Sequence, residues 1–261
     1  MVNLYQAVLK PVLLILLELG FDPRKLVKVT KIPRFALDLV RFLKLGGRVS
    51  YLHPILGDTF DNAGSVAGHY FRQDLLVATY IYSANPDRHI DVGSRIDGFV
   101  AHVACFRSIE VMDVRPLQDI DIENIHFFRR DLTAPDFDLV DVADSVSCLH
   151  AIEHFGLGRY GDCVDPEGPV LGFNNLLKML KPGGLLYISF PVGRKSQVYF
   201  NAQRVFRPSD LLAWPTNRAS IEIVQFDFID KAGRLFRNVD IVNLQFDLGG
   251  GCGVFTLRKV F

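Results

Sequence analysis

HIDVGSRIDGFVAHVACFRSIEVMD, residues 89–113, is the stretch that decides the fold. Residues 89–92 read as a short strand, and Gly93 breaks it. Residues 97–105 then carry helical spacing, with Asp97 placed to cap their start. Residues 108–113 return to a strand pattern ending in an acid. Strand, glycine turn, helix and strand within 25 residues make a parallel unit with a right-handed crossover.

The same alternation continues outward. Strand patterns recur at 124–130, 143–148 and 185–191, and a helix at 168–180 ends at Lys181-Pro182-Gly183-Gly184. A short helix at 209–214 precedes two further strands, 219–229 and 252–260, suited to an antiparallel pair at one edge. Upstream, residues 64–84 read as a helix and residues 51–63 as a loop. Residues 1–50 read as helical; Pro33 starts a second helix and Gly46-Gly47 ends it. The expected fold is α/β: a Rossmann-like, seven-stranded, mostly parallel sheet with an antiparallel edge strand. An N-terminal helical extension over 1–63 precedes the α/β domain at 64–261.

Bulk composition bounds the function classes. Of 261 residues, 49% are hydrophobic and 22% charged, enough for a sizeable core and against disorder. Twenty-nine basic residues balance 29 acidic ones, which gives no argument for nucleic acid as a partner, although a local patch can hide inside that balance. Cys105, Cys148, Cys163 and Cys252 form no C-x-x-C pair, so free thiols in a reducing, cytoplasmic setting are expected. PVLLILLELGF, residues 11–21, is too short to span a bilayer and is interrupted by Glu18. It packs as a helix or makes weak contact with a membrane surface.

In an open parallel sheet the ligand lies beyond the carboxyl ends of the strands. Here those ends carry Asp91 with Gly93, Ser94, Arg95 and Gly98; then Asp113; then Asp131 with Leu132; then Cys148 with His150. A carboxylate at position 113 can accept two bonds from vicinal ribose hydroxyls. Gly93 and Gly98 have phosphate-loop spacing, but Phe99-Val100 stand where Lys and Ser or Thr are needed. Asp97 stands where a dinucleotide would set its pyrophosphate, and an acid there repels that anion. An adenosyl ligand with a cationic sulfur and an amino-acid tail fits better; Ser94 and Arg95 could meet the tail's carboxylate.

The series HIDVGS, VMD, RRDL, DSVSCLHAIEH and LLKMLKPGGLLYISFP resembles the motif order of class I S-adenosylmethionine-dependent methyltransferases. GHYFRQD (68–74), EHFGLGRYGD (153–162) and FNAQRVF (200–206) further resemble a bacterial methyltransferase-like family of unknown function. The resemblance covers roughly residues 64–260. It implies S-adenosylmethionine as cofactor: Asp91, Gly93 and Ser94 match the first loop, Asp113 the ribose acid, Asp131 and Leu132 the adenine edge, and Cys148 to His150 the segment beside the methionine part. The usual first loop has three closely spaced glycines; Arg95 and Asp97 replace two of them here.

Methyl transfer to a hydroxyl needs an aligned acceptor and a base. His150, Glu153 and His154 share one face if helical, and are the candidates. With Asp162 they could alternatively hold a metal ion, or they could be structural. Arg159, Tyr160 and Asp162 in a glycine-dense loop, with Asn201 and Arg204, are candidate acceptor contacts. His69, Tyr70, Gln73 and Asp74 could close the pocket from above. The arginine-bearing loops suggest a small-molecule or glycan-like acceptor, methylated on oxygen. Two other classes compete: a non-catalytic ligand-binding module, suggested by the altered first loop, and a nicotinamide-dependent oxidoreductase, disfavoured by Asp97.

Overall fold

The computed structural model describes residues 10–22, 28–57, 68–117, 121–134, 136–241 and 250–261. The chain divides into two units, residues 1–65 and 66–261.

The first unit contributes helices α1 (Lys10–Glu18) and α2 (Ile32–Lys44). Pro33 stands in the first turn of α2, where its missing N–H costs nothing. The end of α2 is fixed by Gly46 at φ +87°, which lets Gly46 N donate to Leu43 O and Gly47 N to Phe42 O. No described helix is long and apolar enough to cross a membrane.

Among the described residues the second unit holds an eight-stranded sheet. In chain order its strands are β1 (His89–Val92), β2 (Ile109–Asp113), β3 (Ile125–Arg129), β4 (Ala143–Leu149) and β5 (Leu180–Val192). The short pair β6 (Gln197–Tyr199) and β7 (Gln203–Val205) forms a separate ribbon, before β8 (Ile221–Asp230), β9 (Leu235–Phe236) and β10 (Gly251–Lys259). The spatial order is β3-β2-β1-β4-β5-β10-β8-β9. Strands β1 to β5 pair in parallel, whereas β10 runs antiparallel to both β5 and β8. The mixed sheet expected from the sequence is present, with one strand more: β9 is too short to register as a hydrophobic pattern. The antiparallel edge is also present: β10 runs antiparallel to β5 and β8, and β9, the outermost strand, runs antiparallel to β8.

Side chains alternate between two apolar layers, as a sheet covered on both faces requires. Leu186, Ile188 and Phe190 of β5 pack with Phe173 and Leu176 of α5 (Gly168–Met179), while Tyr187 faces the other layer. That second layer holds Leu76, Val77 and Ile81 of α3 (Tyr70–Ala84) with Val103 of α4 (Ala101–Ala104). The expected helix over 64–84 is thus described from Tyr70; residues 58–67 lie outside the described part.

Asp97 does not cap its helix. It pairs with Arg95 through two bonds of 2.9 and 2.7 Å, and the helix opens as a wide turn over Ile96–Val100 in which Gly98 leaves helical geometry (φ −125°, ψ −116°). A guanidinium two residues away outcompetes the backbone amides for the carboxylate.

Candidate active site

The chain runs β1, β2, β3 outward and then returns to place β4 on the other side of β1. This reversal opens a crevice between the carboxyl ends of β1 and β4. A cavity of about 730 Å³ lies there. Gly93, Ser94, Arg95, Gly98, Asp113, Asp131 and Leu132 all border it, as do His150, His154, Arg159, Tyr160 and Asp162.

The floor begins at Gly93. Its φ is +80°, and a Cβ there would meet Ala151 Cβ at 2.7 Å, so the turn requires glycine twice over. Behind it Asp91 is fully buried and accepts from Ser94 N (3.1 Å), Ser94 Oγ (2.9 Å) and Ser147 Oγ (2.5 Å). Burial pushes its pKa up to about 7, against the pull of these bonds. Asp91 therefore braces the turn from beneath instead of bordering the cavity, and it holds the Ser94 hydroxyl. Cys148 is likewise buried behind the wall, its thiol pKa raised by burial.

Asp113 lies at the tip of β2 with its side chain 9% exposed. Arg115, a residue the sequence did not bring forward, grips it. Its Nε and backbone N donate to Oδ1 at 2.9 and 2.8 Å, and its Nη2 to Oδ2 at 2.5 Å. The guanidinium also lies 4.8 Å from the centroid of the Tyr160 ring. Asp131 turns back on its own loop, accepting from Thr133 N and Thr133 Oγ1 at 2.8 and 2.7 Å.

The end of β4 carries the titratable cluster. His150 has φ +49°, a left-handed conformation that costs a side chain of its kind on the order of 1 kcal/mol. It is held there because its amide donates to Ser189 O (3.0 Å) and lies 3.1 Å from Ser189 Oγ. Ser189 Oγ in turn donates to Gln73 Oε1 at 2.7 Å, so α3 and β5 together fix the position. His150 Nδ1 lies 2.8 Å from Glu153 Oε1, and both side chains are almost fully buried. Burial opposes charging His150, but the neighbouring Cys252 and Glu153 outweigh it, and its pKa lies well above the ordinary value. The His69 ring stacks on it at 4.4 Å; burial and the charge on His150 bring His69 down to about 4.

His154 behaves oppositely. Burial lowers its pKa, which favours the neutral ring. Its ring meets Tyr160 edge-on at 5.5 Å, and its Nδ1 has no hydrogen-bond partner. Residues 152–154 form one 3₁₀ turn rather than the helical face expected from the sequence. Glu153 consequently serves His150 from behind, while His150 and His154 border the cavity.

Around the neighbouring loop the candidate acceptor contacts separate. Asp162 accepts from Gly156 N, Gly158 N and Tyr160 N at 2.8, 3.3 and 3.1 Å, winding the loop about itself. Its oxygens are thereby withdrawn from any metal cluster, and among the described residues no group of three His, Cys, Asp or Glu side chains could hold a metal ion. Arg204 is buried and reaches Phe155 O at 2.5 Å, behind the cavity. Asn201 is exposed on the β6–β7 turn and does not border it; Gln203 does. Tyr70, Gln73 and Asp74 border the cavity from α3 as expected, with His69 behind them.

Residues 127–216 match a family model described as a Caenorhabditis protein of unknown function, DUF268. No curated protein matches the sequence. Among solved structures, the [4+2]-cyclase SpnF aligns with a TM-score of 0.54 at 16% identity, over 75% of this chain and 88% of that one. The 1,6-didemethyltoxoflavin-N1-methyltransferase of Burkholderia thailandensis, solved with S-adenosylhomocysteine, gives 0.53 at 13% identity, over 73% and 80%. An O-methyltransferase from a Brevibacillus brevis multienzyme, also solved with S-adenosylhomocysteine, gives 0.50 at 11% identity, covering 71% of each chain. The α/β unit has the class I S-adenosylmethionine-dependent methyltransferase fold.

Proposed function

We propose that the chain binds S-adenosylmethionine across the carboxyl ends of β1 to β4 and methylates a small-molecule or glycan-like acceptor on oxygen. The observation that carries this reading is Asp113: an acid at the tip of β2 borders the same cavity as His154, a histidine whose Nδ1 has no hydrogen-bond partner.

The residues present fit such a ligand. Gly93 admits close approach of the backbone, Asp113 would accept from the ribose hydroxyls, and Asp131 with Leu132 would border the adenine. Arg95 is half-committed to Asp97 at the surface and would meet the amino-acid tail. S-adenosylmethionine, when bound, supplies an electrophilic methyl group on a cationic sulfur. His154 would take the acceptor's hydroxyl proton on Nδ1, which its lowered pKa leaves free of a proton of its own in one tautomer. His150 and Glu153, 2.8 Å apart, pair with each other rather than with the cation. Tyr160 and Arg159, the latter anchored to Ala202 O at 2.7 Å, would wall the acceptor side.

Calorimetry with S-adenosylmethionine, S-adenosylhomocysteine and NAD tests the reading. Heat with the two adenosyl ligands and none with NAD is expected; no heat with either adenosyl ligand overturns it. A second reading, a binding module with altered affinity and no turnover, is favoured by one observation. Arg115 already engages both carboxylate oxygens that a ribose would need. Binding without methyl transfer to any acceptor in a broad panel would select it.

A further inference from the structure

We infer that α2, with the basic residues around it, is a docking face for an anionic lipid surface, on which the helix lies flat.

Charge and apolar surface are sorted along this segment as they are nowhere in the bulk composition. Between residues 28 and 48 the chain carries Lys28, Lys31, Arg34, Arg41, Lys44 and Arg48 against one acid, Asp38. The balance of 29 basic and 29 acidic residues over the whole chain conceals this excess. At 3.6 residues per turn, Ile32, Phe35, Ala36, Leu39, Val40, Phe42 and Leu43 fall on one side of α2. Arg34, Asp38, Arg41 and Lys44 fall on the other, with Leu37 the exception. Asp38 lies within 3.8 and 3.6 Å of Arg34 and Arg41, pairs too exposed and too long to cancel two guanidinium charges.

None of the residues of α2 is buried. Val40, Phe42 and Leu43 are each about half exposed, and the apolar exposure continues past the helix to Leu45 and Tyr51 at 87% and 91%. An apolar face with no buried residue, backed by a cationic face, is the pattern of a helix in the headgroup plane of a bilayer. An anionic leaflet complements both faces: acyl chains for Val40 and Leu43, and phosphate or carboxylate for the excess of basic charge. At 13 residues α2 is about 20 Å long, short of the roughly 30 Å hydrocarbon core, so it lies on the surface rather than crossing it.

This places the contact elsewhere than expected from the sequence. Residues 11–21 are apolar too, and Val12, Ile15 and Leu19 are exposed, but that stretch has no basic residue and one acid, Glu18. It carries no complement to negative headgroups.

The test is co-sedimentation of the full chain with vesicles of phosphatidylcholine alone or with a third phosphatidylserine. We expect at least tenfold stronger partitioning into the phosphatidylserine vesicles, weakened by salt. The charge reversal R34E/R41E/K44E and the apolar-face variant V40D/L43D are each expected to reduce it at least tenfold. Since none of these side chains is buried, circular dichroism and the thermal midpoint of the α/β unit are expected to stay unchanged. Equal partitioning of the wild-type chain into both vesicles, or none, overturns the proposal, and that readout needs no variant. A wild-type dimer in sedimentation velocity that V40D/L43D dissociates, without vesicle binding, would assign the face to a second copy instead. Salt-sensitive binding to duplex DNA without binding to vesicles would overturn it equally.

Discussion

Arg115 holds Asp113 by three donors, two from its guanidinium and one from its own amide. The carboxylate at the tip of β2 is thereby shaped and masked at once. A ligand's hydroxyls meet it in competition with the guanidinium, whose side chain is 39% exposed.

Two substitutions therefore act in opposite directions. Asp113→Ala removes the acceptor and should weaken S-adenosylhomocysteine by at least tenfold. Arg115→Ala removes the competitor; a partly exposed ion pair contributes about 1 kcal/mol, so affinity should rise about fivefold. Calorimetric titration of both variants checks this. Weaker binding in Arg115→Ala would mean that the arginine contacts the ligand rather than competing with it.

His154→Gln should lower turnover by on the order of 10²-fold or more while leaving cofactor affinity intact. The pH profile is more telling. Because burial lowers the pKa of His154, the acid limb of kcat should fall below the ordinary histidine range. An acid limb above that range, or unaltered turnover in the variant, would remove His154 as the base.

Glu153→Gln addresses the His150 pair. A histidine whose folded pKa is raised contributes stability that is complete below its unfolded value of 6.5 and is lost as pH rises through the folded value. The wild-type chain should thus lose stability above pH 6.5 through this group. Glu153→Gln should flatten that dependence and destabilise the fold most at acid pH. Denaturant melts at pH 6 and pH 9 in both forms measure it.

Asp91 gives a separate signature. Its folded pKa of about 7 lies above the unfolded 3.8, so its contribution is complete below pH 3.8 and lost as pH rises to 7. About three pKa units correspond to roughly 4 kcal/mol. His89, buried and lowered to about 3, titrates with the opposite sign between 3 and 6.5, so the wild-type curve masks much of the effect. In Asp91→Asn the His89 dependence should stand uncovered, with stability rising from pH 4 to 6.5. A pH–stability curve unchanged by the substitution would refute the assignment.

Sequence legibility followed the range of the interactions. Asp113, Asp131 and the Gly93 turn were readable because strand ends and turn glycines are local signals. The Lys181-Pro182-Gly183-Gly184 break placed the end of α5 for the same reason. Arg115 was not readable, since its role depends on the carboxylate two residues earlier facing the same way. Asp91 looked like a ligand contact because the sequence cannot show Ser147 arriving from β4. Arg204 and Asn201 are three apart, yet one is buried behind the wall and the other exposed on a turn. Only the fold of the β6–β7 ribbon separates them.

Strand β10 follows β8 and β9 along the chain, yet it lies between β5 and β8. Until residues 251–259 have left the ribosome, β5 keeps an open edge and β8 has nothing to pair with on that side. A nascent chain therefore carries an unfinished sheet with apolar strands uncovered, a condition that invites intermolecular pairing and makes chaperone protection during synthesis advantageous.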